Sequence, residues 1–225
     1  MIARPRPAPS GTDAAGPDQP GRDCPICARL VEYRLKNRAA QPDWHNAPVP
    51  SFGSADARLL VVGLAPGVRG ANRTGRPFTG DHAGVLLYET LREFGFALGS
   101  YGARLDDGMT LADCRVTNAV RCVPPANLPQ PAEITNCNRF LANEFAAAPQ
   151  LRAVLALGGV AHKAVLRARG LRASFVPFQH GALHVLPDGV LLADSYHVSR
   201  LNTNTGRLTP AMFQAVVRTI RARLA

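Results

Sequence analysis

Four short apolar runs, each followed by a stretch with helical periodicity, constrain this chain more than any other feature. Residues 57–64 (ARLLVVGL), 114–120 (CRVTNAV), 153–157 (AVLAL) and 190–195 (VLLADS) are too short for helices and are nearly continuous rather than alternating. Such strands are buried on both faces, as in a parallel sheet covered by helices on each side. Segments 82–98, 132–147, 160–168 and 209–224 supply those helices; in the first, Leu87, Leu91, Phe94 and Leu98 fall down one side. The alternation predicts an α/β fold. A shorter helix over 27–38, with Leu30, Val31 and Leu35 at helical spacing, precedes the first strand. Residues 1–22 carry five prolines and no apolar periodicity. They read as a disordered leader, leaving 23–225 as the globular domain. No run approaches ~20 apolar residues, so no transmembrane helix is expected. The chain opens without a basic stretch and apolar core of an export signal, which points to a reducing, cytoplasmic setting.

Three polar loops rich in Gly or Pro (65–80, 121–131 and 197–208) follow strand C-terminal ends. In open α/β sheets ligands bind at that edge, so these loops are expected to converge on one functional face. Lys36 and Lys163 are the only lysines; the other 24 basic residues are arginine, and the net charge is +10. Arginine forks match phosphate oxygens, so a polyanionic partner fits, although a codon-biased genome also produces an Ala/Arg/Gly/Pro-rich chain.

Within that frame, several residues could carry chemistry. Cys24-Pro-Ile-Cys27 places two thiols two residues apart, with Cys122 and Cys137 left for the fold to bring in. Four thiolates suit a [4Fe–4S] cluster or tetrahedral zinc; Cys122 and Cys137 could instead be ordinary buried thiols. Cys114, on a strand, reads as core. Gly63-Leu64-Ala65-Pro66-Gly67 and the stretch from Gly70 to Asp81 (GANRTGRPFTGD) could line a tight pocket, but no Gly-Lys-Ser/Thr closes a phosphate loop. Phe78 in that polar stretch is either a core plug or a stacking platform for a flat ligand. Asn118 near a strand end needs a partner for its amide, which is either a neighbouring loop or a base edge. His197, in His197-Val198-Ser199-Arg200-Leu201-Asn202, stands at a strand end before a basic loop and is equally readable as structural or catalytic.

The set GLAPG, NRTGRPFTGD, TNAVRC and HVSRLN, with the CxxC…C…C spacing, resembles the uracil-DNA glycosylase superfamily. It looks closest to the iron–sulfur-containing family 5 branch. The resemblance implies a three-layer α/β/α sandwich on a four-stranded parallel sheet. It implies a monomeric DNA-repair hydrolase that cuts the N-glycosidic bond of uracil, and of other deaminated or damaged bases, leaving an abasic site. A base inside a duplex must be flipped out before such chemistry. By the same resemblance Leu201 is the inserted leucine, the alternative being a plain loop hydrophobe, with Arg200 and Asn202 beside it on the DNA. Phe78 stacks on the flipped base, and Asn118 accepts from uracil N3–H and donates to O4. That reading requires the Asn118 amide to be locked against a flip, since a flipped amide admits cytosine. His197 donates to the base O2, and Gly63, Leu64 and Ala65 line the pocket. Cys24, Cys27, Cys122 and Cys137 match the ligands of a structural [4Fe–4S] cluster. The first motif departs from related families, which carry a carboxylate or amide where this chain has Leu64 and Ala65. Asp81 is then the nearest acid, acting in catalysis, as the N-cap of the following helix, or both. Two readings outside this family stay open: a cysteine-stapled nucleic-acid-binding module without chemistry, and an iron–sulfur redox protein. The latter lacks any second cofactor motif.

Overall fold

The computed structural model describes residues 18–225. In chain order the elements are α1 (Ala28–Ala40), β1 (Leu59–Gly63), α2 (Ala71–Thr74), α3 (His82–Glu93), β2 (Ala97–Leu98), β3 (Thr110–Leu111), β4 (Cys114–Asn118), α4 (Pro131–Ala146), β5 (Ala153–Leu157), α5 (Gly159–Ala168), β6 (Leu183–Val185), β7 (Leu191–Ser195), α6 (Arg200–Asn204) and α7 (Pro210–Leu224). The main sheet has the order β4-β1-β5-β7-β6. Its first four strands are parallel, as expected; β6 adds a fifth, antiparallel to β7. The sequence gives little sign of β6: it is three residues long with His184 in the middle, too short for any periodicity.

Successive residues along each strand point to opposite faces, and the two cores divide accordingly. Leu59, Val61 and Leu155 pack with Leu87 and Leu91 of α3 and Phe213, Val217 and Ile220 of α7. Leu60, Val62 and Val154 pack with Leu141 and Phe145 of α4 and Val165 and Leu166 of α5. The result is a helix/sheet/helix sandwich, which is why β1 and β5 are buried at every position. Among the described residues, no helix is long and apolar enough to cross a membrane.

Two sequence expectations are corrected. The helix expected over 82–98 ends at Glu93: Gly95 takes a left-handed φ of 72°, and Phe96 N–H closes back on Leu91 C=O at 2.7 Å. Leu98 therefore leaves the helix stripe and is 57% exposed in a small antiparallel pair, β2 with β3. Residues 18–22, expected within the disordered leader, pack on the domain, while residues 1–17 of that leader lie outside the described residues. Gln19 bonds Arg121 Nη1 at 2.9 Å and also reaches Glu144, because the buried Arg121–Glu144 pair needs further polar partners.

Candidate active site and cysteine cavity

The loops after β1, β4 and β7 converge, as expected, on a cleft of ≈ 580 Å³. Its wall includes Leu64, Ala65, Phe78, Asp81, Asn118, His197 and Leu201, and adds Ala126, Asn127 and Leu128 from the loop after β4.

The floor is built where β1 and β4 end side by side, with Gly63 paired in register with Asn118. Gly63 leaves the space that its neighbours use. A Cβ there would fall 2.3 Å from Phe78 Cζ and 2.4 Å from Asn118 Oδ1. Phe78 is buried and held on a left-handed backbone, φ 52°, a conformation that costs of order 1–3 kcal/mol for a bulky residue. Tyr101 Oη donates to its carbonyl at 3.0 Å, and Tyr88 Oη donates to Pro77 C=O at 2.6 Å. Gly84 makes the approach possible, since a Cβ there would sit 1.8 Å from Phe78 O. In the same loop, Arg76 grips Asp107 with two bonds of 2.8 and 2.6 Å, both side chains buried, and reaches Thr79 Oγ1 at 2.8 Å. That guanidinium holds the Asp107 carboxyl well below the usual carboxylate range. Arg76, Arg121 and Arg34 are thus internal, so part of the arginine excess serves the fold instead of a polyanion. Asn118 Oδ1 is buried without a hydrogen-bond partner among the described residues. The lock expected on this amide is therefore not made through Oδ1.

Asp81 does cap α3, its Oδ1 accepting from Ala83 N–H at 3.2 Å. Its other oxygen fills a notch left by two glycines: a Cβ on Gly70 would fall 2.1 Å from Oδ2, and one on Gly67 2.9 Å away. Burial pushes its pKa up, opposed by the backbone N–H groups of Ala83 and Gly84. The capping oxygen and the notch-facing oxygen are different atoms, so capping leaves the second oxygen out of the helix.

His197 follows β7, its ring 6.0 Å from that of Phe78 at an interplanar angle of 34°. Burial pushes the imidazole down to about 4, so the ring is neutral at physiological pH and keeps one N–H donor. The loop behind it is tightly wound. Ser199 caps α6, and Asn202 Nδ2 donates to His197 C=O at 2.8 Å. Asn202, expected on the DNA face, uses an amide N–H to hold the histidine backbone. Arg200 is exposed and Leu201 is 71% exposed at the cleft rim. Sequence reasoning missed His82, which joins the cleft and meets Thr203 Oγ1 at 3.0 Å, and missed Tyr88 and Tyr101; none sits in a motif.

The fold brings Cys24, Cys27, Cys122 and Cys137 around one small cavity of ≈ 20 Å³, walled by Leu30, Val31 and Phe140. Cys114 is fully buried in β4, away from that cavity. Three donors aim at the sulfurs: Arg121 N–H at Cys137 (3.3 Å), Asn136 Nδ2 at Cys27 (3.7 Å) and Arg34 Nη1 at Cys122 (3.9 Å). Arg34 Nε is buried without a partner among the described residues. Burial pushes the Cys122 thiol up to about 12 and Cys137 to about 11, with neighbouring cysteines contributing in the same direction. Among the described residues, no three His, Cys, Asp or Glu side chains are grouped to hold a single metal ion.

A family profile described as the uracil DNA glycosylase superfamily matches residues 50–221. The chain is 47% identical over 200 residues to the Type-5 uracil-DNA glycosylase of Thermus thermophilus, covering 86% of this chain and 90% of that one. It is 44% identical over 204 residues to the Type-5 uracil-DNA glycosylase of Mycobacterium leprae, covering 87% and 89%. Against the Type-4 uracil-DNA glycosylase of Thermotoga maritima the figure is 36% over 115 residues, covering 50% and 52%.

Proposed function

The chain belongs to the uracil-DNA glycosylase superfamily, and from that premise we propose how its cleft works. It is a uracil-DNA glycosylase, a repair enzyme that releases uracil from DNA by hydrolysing the bond to deoxyribose. The orphaned, buried Asn118 Oδ1 beside the Phe78 ring carries the reading. A buried acceptor with no partner costs of order 1–3 kcal/mol, which a ligand donor would recover. Uracil N3–H is such a donor, and the Asn118 amide can return a bond to O4 while Phe78 stacks on the base plane. Base–aromatic stacking of this kind contributes ~1–3 kcal/mol.

As the glycosidic bond breaks, its electron pair goes to the base and negative charge develops at O2. The neutral His197 ring donates there, in a site where burial strengthens the bond as charge accumulates. The sugar becomes cation-like at C1′, and a water completes hydrolysis by adding to it, its proton ending on the departing base anion. Asp81 is the acid of the cleft: its notch-facing oxygen is placed to orient that water or to stabilise the cation. Its raised pKa moves it toward the range where a carboxyl exchanges protons efficiently. Leu64 and Ala65 leave the first motif apolar, which extends action to other deaminated or damaged bases by removing polar discrimination. Leu201, exposed at the rim, enters the space vacated by the flipped nucleotide, and Arg200 meets a phosphate. The enzyme acts as a monomer, in the compartment that holds the DNA.

Cys24, Cys27, Cys122 and Cys137 would hold a [4Fe–4S] cluster. The sulfur-directed donors and the unpartnered Arg34 Nε suit an anionic group, since hydrogen bonds to sulfur tune such clusters. Hydrolysis needs no electron, so the cluster's contribution is to tie α1 to the loop after β4 and to α4.

The experiment is single-turnover cleavage of a uracil-containing duplex, with alkali to cut abasic sites, for wild type and Asn118→Ala. Wild type is expected to cut and Asn118→Ala to lose ~10²-fold or more, the typical worth of one such positioned group. Full activity in Asn118→Ala would remove the amide from base recognition.

A further inference from the structure

Leu201 is not the only leucine standing out of the cleft rim. Leu128 is 68% exposed and lines the same cleft. It comes from the loop after β4, at one edge of the sheet, whereas Leu201 follows β7; β1 and β5 lie between them. The two leucines therefore rise on opposite lips.

The loop that presents Leu128 is held, and held in a strained form. Ala126 and Asn127 both adopt left-handed backbone, φ 54° and 57°, with neither position a glycine. Leu128 N–H bonds Pro125 C=O at 3.1 Å, and Arg29 Nη2 donates to Leu128 C=O at 3.0 Å. The same Arg29 pairs with Glu133 at 2.7 Å, and Glu133 accepts from Gln130 N–H at 2.7 Å at the start of α4. A strained backbone persists only when its surroundings over-determine it, and such strain gathers at functional sites. Here Arg29 on one side and the α4 cap on the other serve to project an apolar side chain into water. An apolar side chain on the rim of a DNA cleft has a direct use, which is to press between bases and part them.

We propose that Leu128 is a second wedge, acting on the duplex from the lip opposite Leu201 and parting the bases beside the flipped nucleotide. This rests on the reading of the cleft as the DNA site. Two wedges share the work of opening the stack, one filling the vacated space and the other holding the flanking bases apart. The contribution is specific to paired, stacked substrate, because a single strand offers no duplex to open.

The test is Leu128→Ala in single-turnover cleavage of uracil in a duplex and in a single strand, with 2-aminopurine placed beside the uracil to report unstacking on binding. Melting temperature is measured alongside, and is expected to hold because the side chain is exposed. Duplex cleavage is expected to slow about tenfold, equivalent to ~1.4 kcal/mol. The 2-aminopurine signal should fall, and single-strand cleavage should stay at the wild-type rate. Leu128→Met, which restores apolar bulk, should recover the duplex rate. Unchanged duplex cleavage and fluorescence in Leu128→Ala, with wild type active, overturns the wedge alone; so does an equal loss on both substrates. Wild type inactive on either form of uracil DNA overturns the functional reading and the wedge with it.

Discussion

Gly63→Ala adds one methyl group at the point where the recognition floor is tightest. Gly63 does not have a positive φ, so alanine meets no backbone penalty and only the added volume matters. The new Cβ would stand 2.3 Å from Phe78 Cζ, 2.8 Å from Phe78 Cε2 and 2.4 Å from Asn118 Oδ1. Contacts this short cannot be relaxed by a few tenths of an ångström. The Phe78 backbone is pinned by Tyr101 and by the close pass of Gly84, so the ring must rotate or β1 and β4 must separate. Overpacking of this kind costs ~1–3 kcal/mol, offset by ~0.4–1 kcal/mol from replacing glycine in the unfolded chain. The net lowers the melting temperature by up to about 10 °C, at ~2–4 °C per kcal/mol for a chain of this size. Catalysis suffers more. Losing the stacking platform, ~1–3 kcal/mol, slows cleavage about 5- to 150-fold. Single-turnover rates on a uracil duplex and thermal melts of the same samples measure both effects. A double variant adds a sharper criterion: if the methyl acts through the ring, Gly63→Ala in a Phe78→Ala background should cost little more than Phe78→Ala alone. Wild-type cleavage by Gly63→Ala would refute the argument, because the clash would then have been absorbed without moving anything the reaction uses.

Three further outcomes are expected. Asp81→Asn keeps the cap, since asparagine caps about as well as aspartate, so its melting temperature should hold while single-turnover cleavage drops ~10²-fold, the usual worth of a positioned acid–base group; a wild-type rate would leave Asp81 as a cap only. His197→Ala should slow cleavage ~10²–10³-fold, as removal of one such donor does. In the wild type the ring is protonated only below about 4, so its contribution to rate should be flat above pH 5. The unfolded histidine takes its proton near 6.5, so the stability this ring confers is complete above that pH and is lost as pH falls from about 6.5 to 4; chemical denaturation across that range checks the sign. Protein purified under reducing, anaerobic conditions should be brown, with about four irons per chain by cluster stoichiometry. Stoichiometric zinc with no iron would reject the cluster.

The four parallel strands and the five longer helices are legible because periodicity is local: a run such as LLVV records two buried faces without reference to any partner. Loops after parallel strands gather at one edge by topology, so the placement of Gly63, Phe78, Asp81, Asn118 and His197 around one cleft also followed from order along the chain. The grouping of four cysteines was visible only in part, since Cys24 and Cys27 are neighbours while Cys122 and Cys137 arrive through the fold. What stayed hidden depended on partners far away in sequence. Nothing in the local sequence pairs Arg76 with Asp107 or ties the Asn202 amide to His197 C=O. The need for glycine at 63 appears only when Phe78 and Asn118 crowd its Cα, and Leu128 is an ordinary loop residue until its loop is seen strained and clamped across from Leu201. Side-chain pattern encodes which face a residue presents; what that face meets, and how closely, is settled by packing between segments whose spacing carries no period.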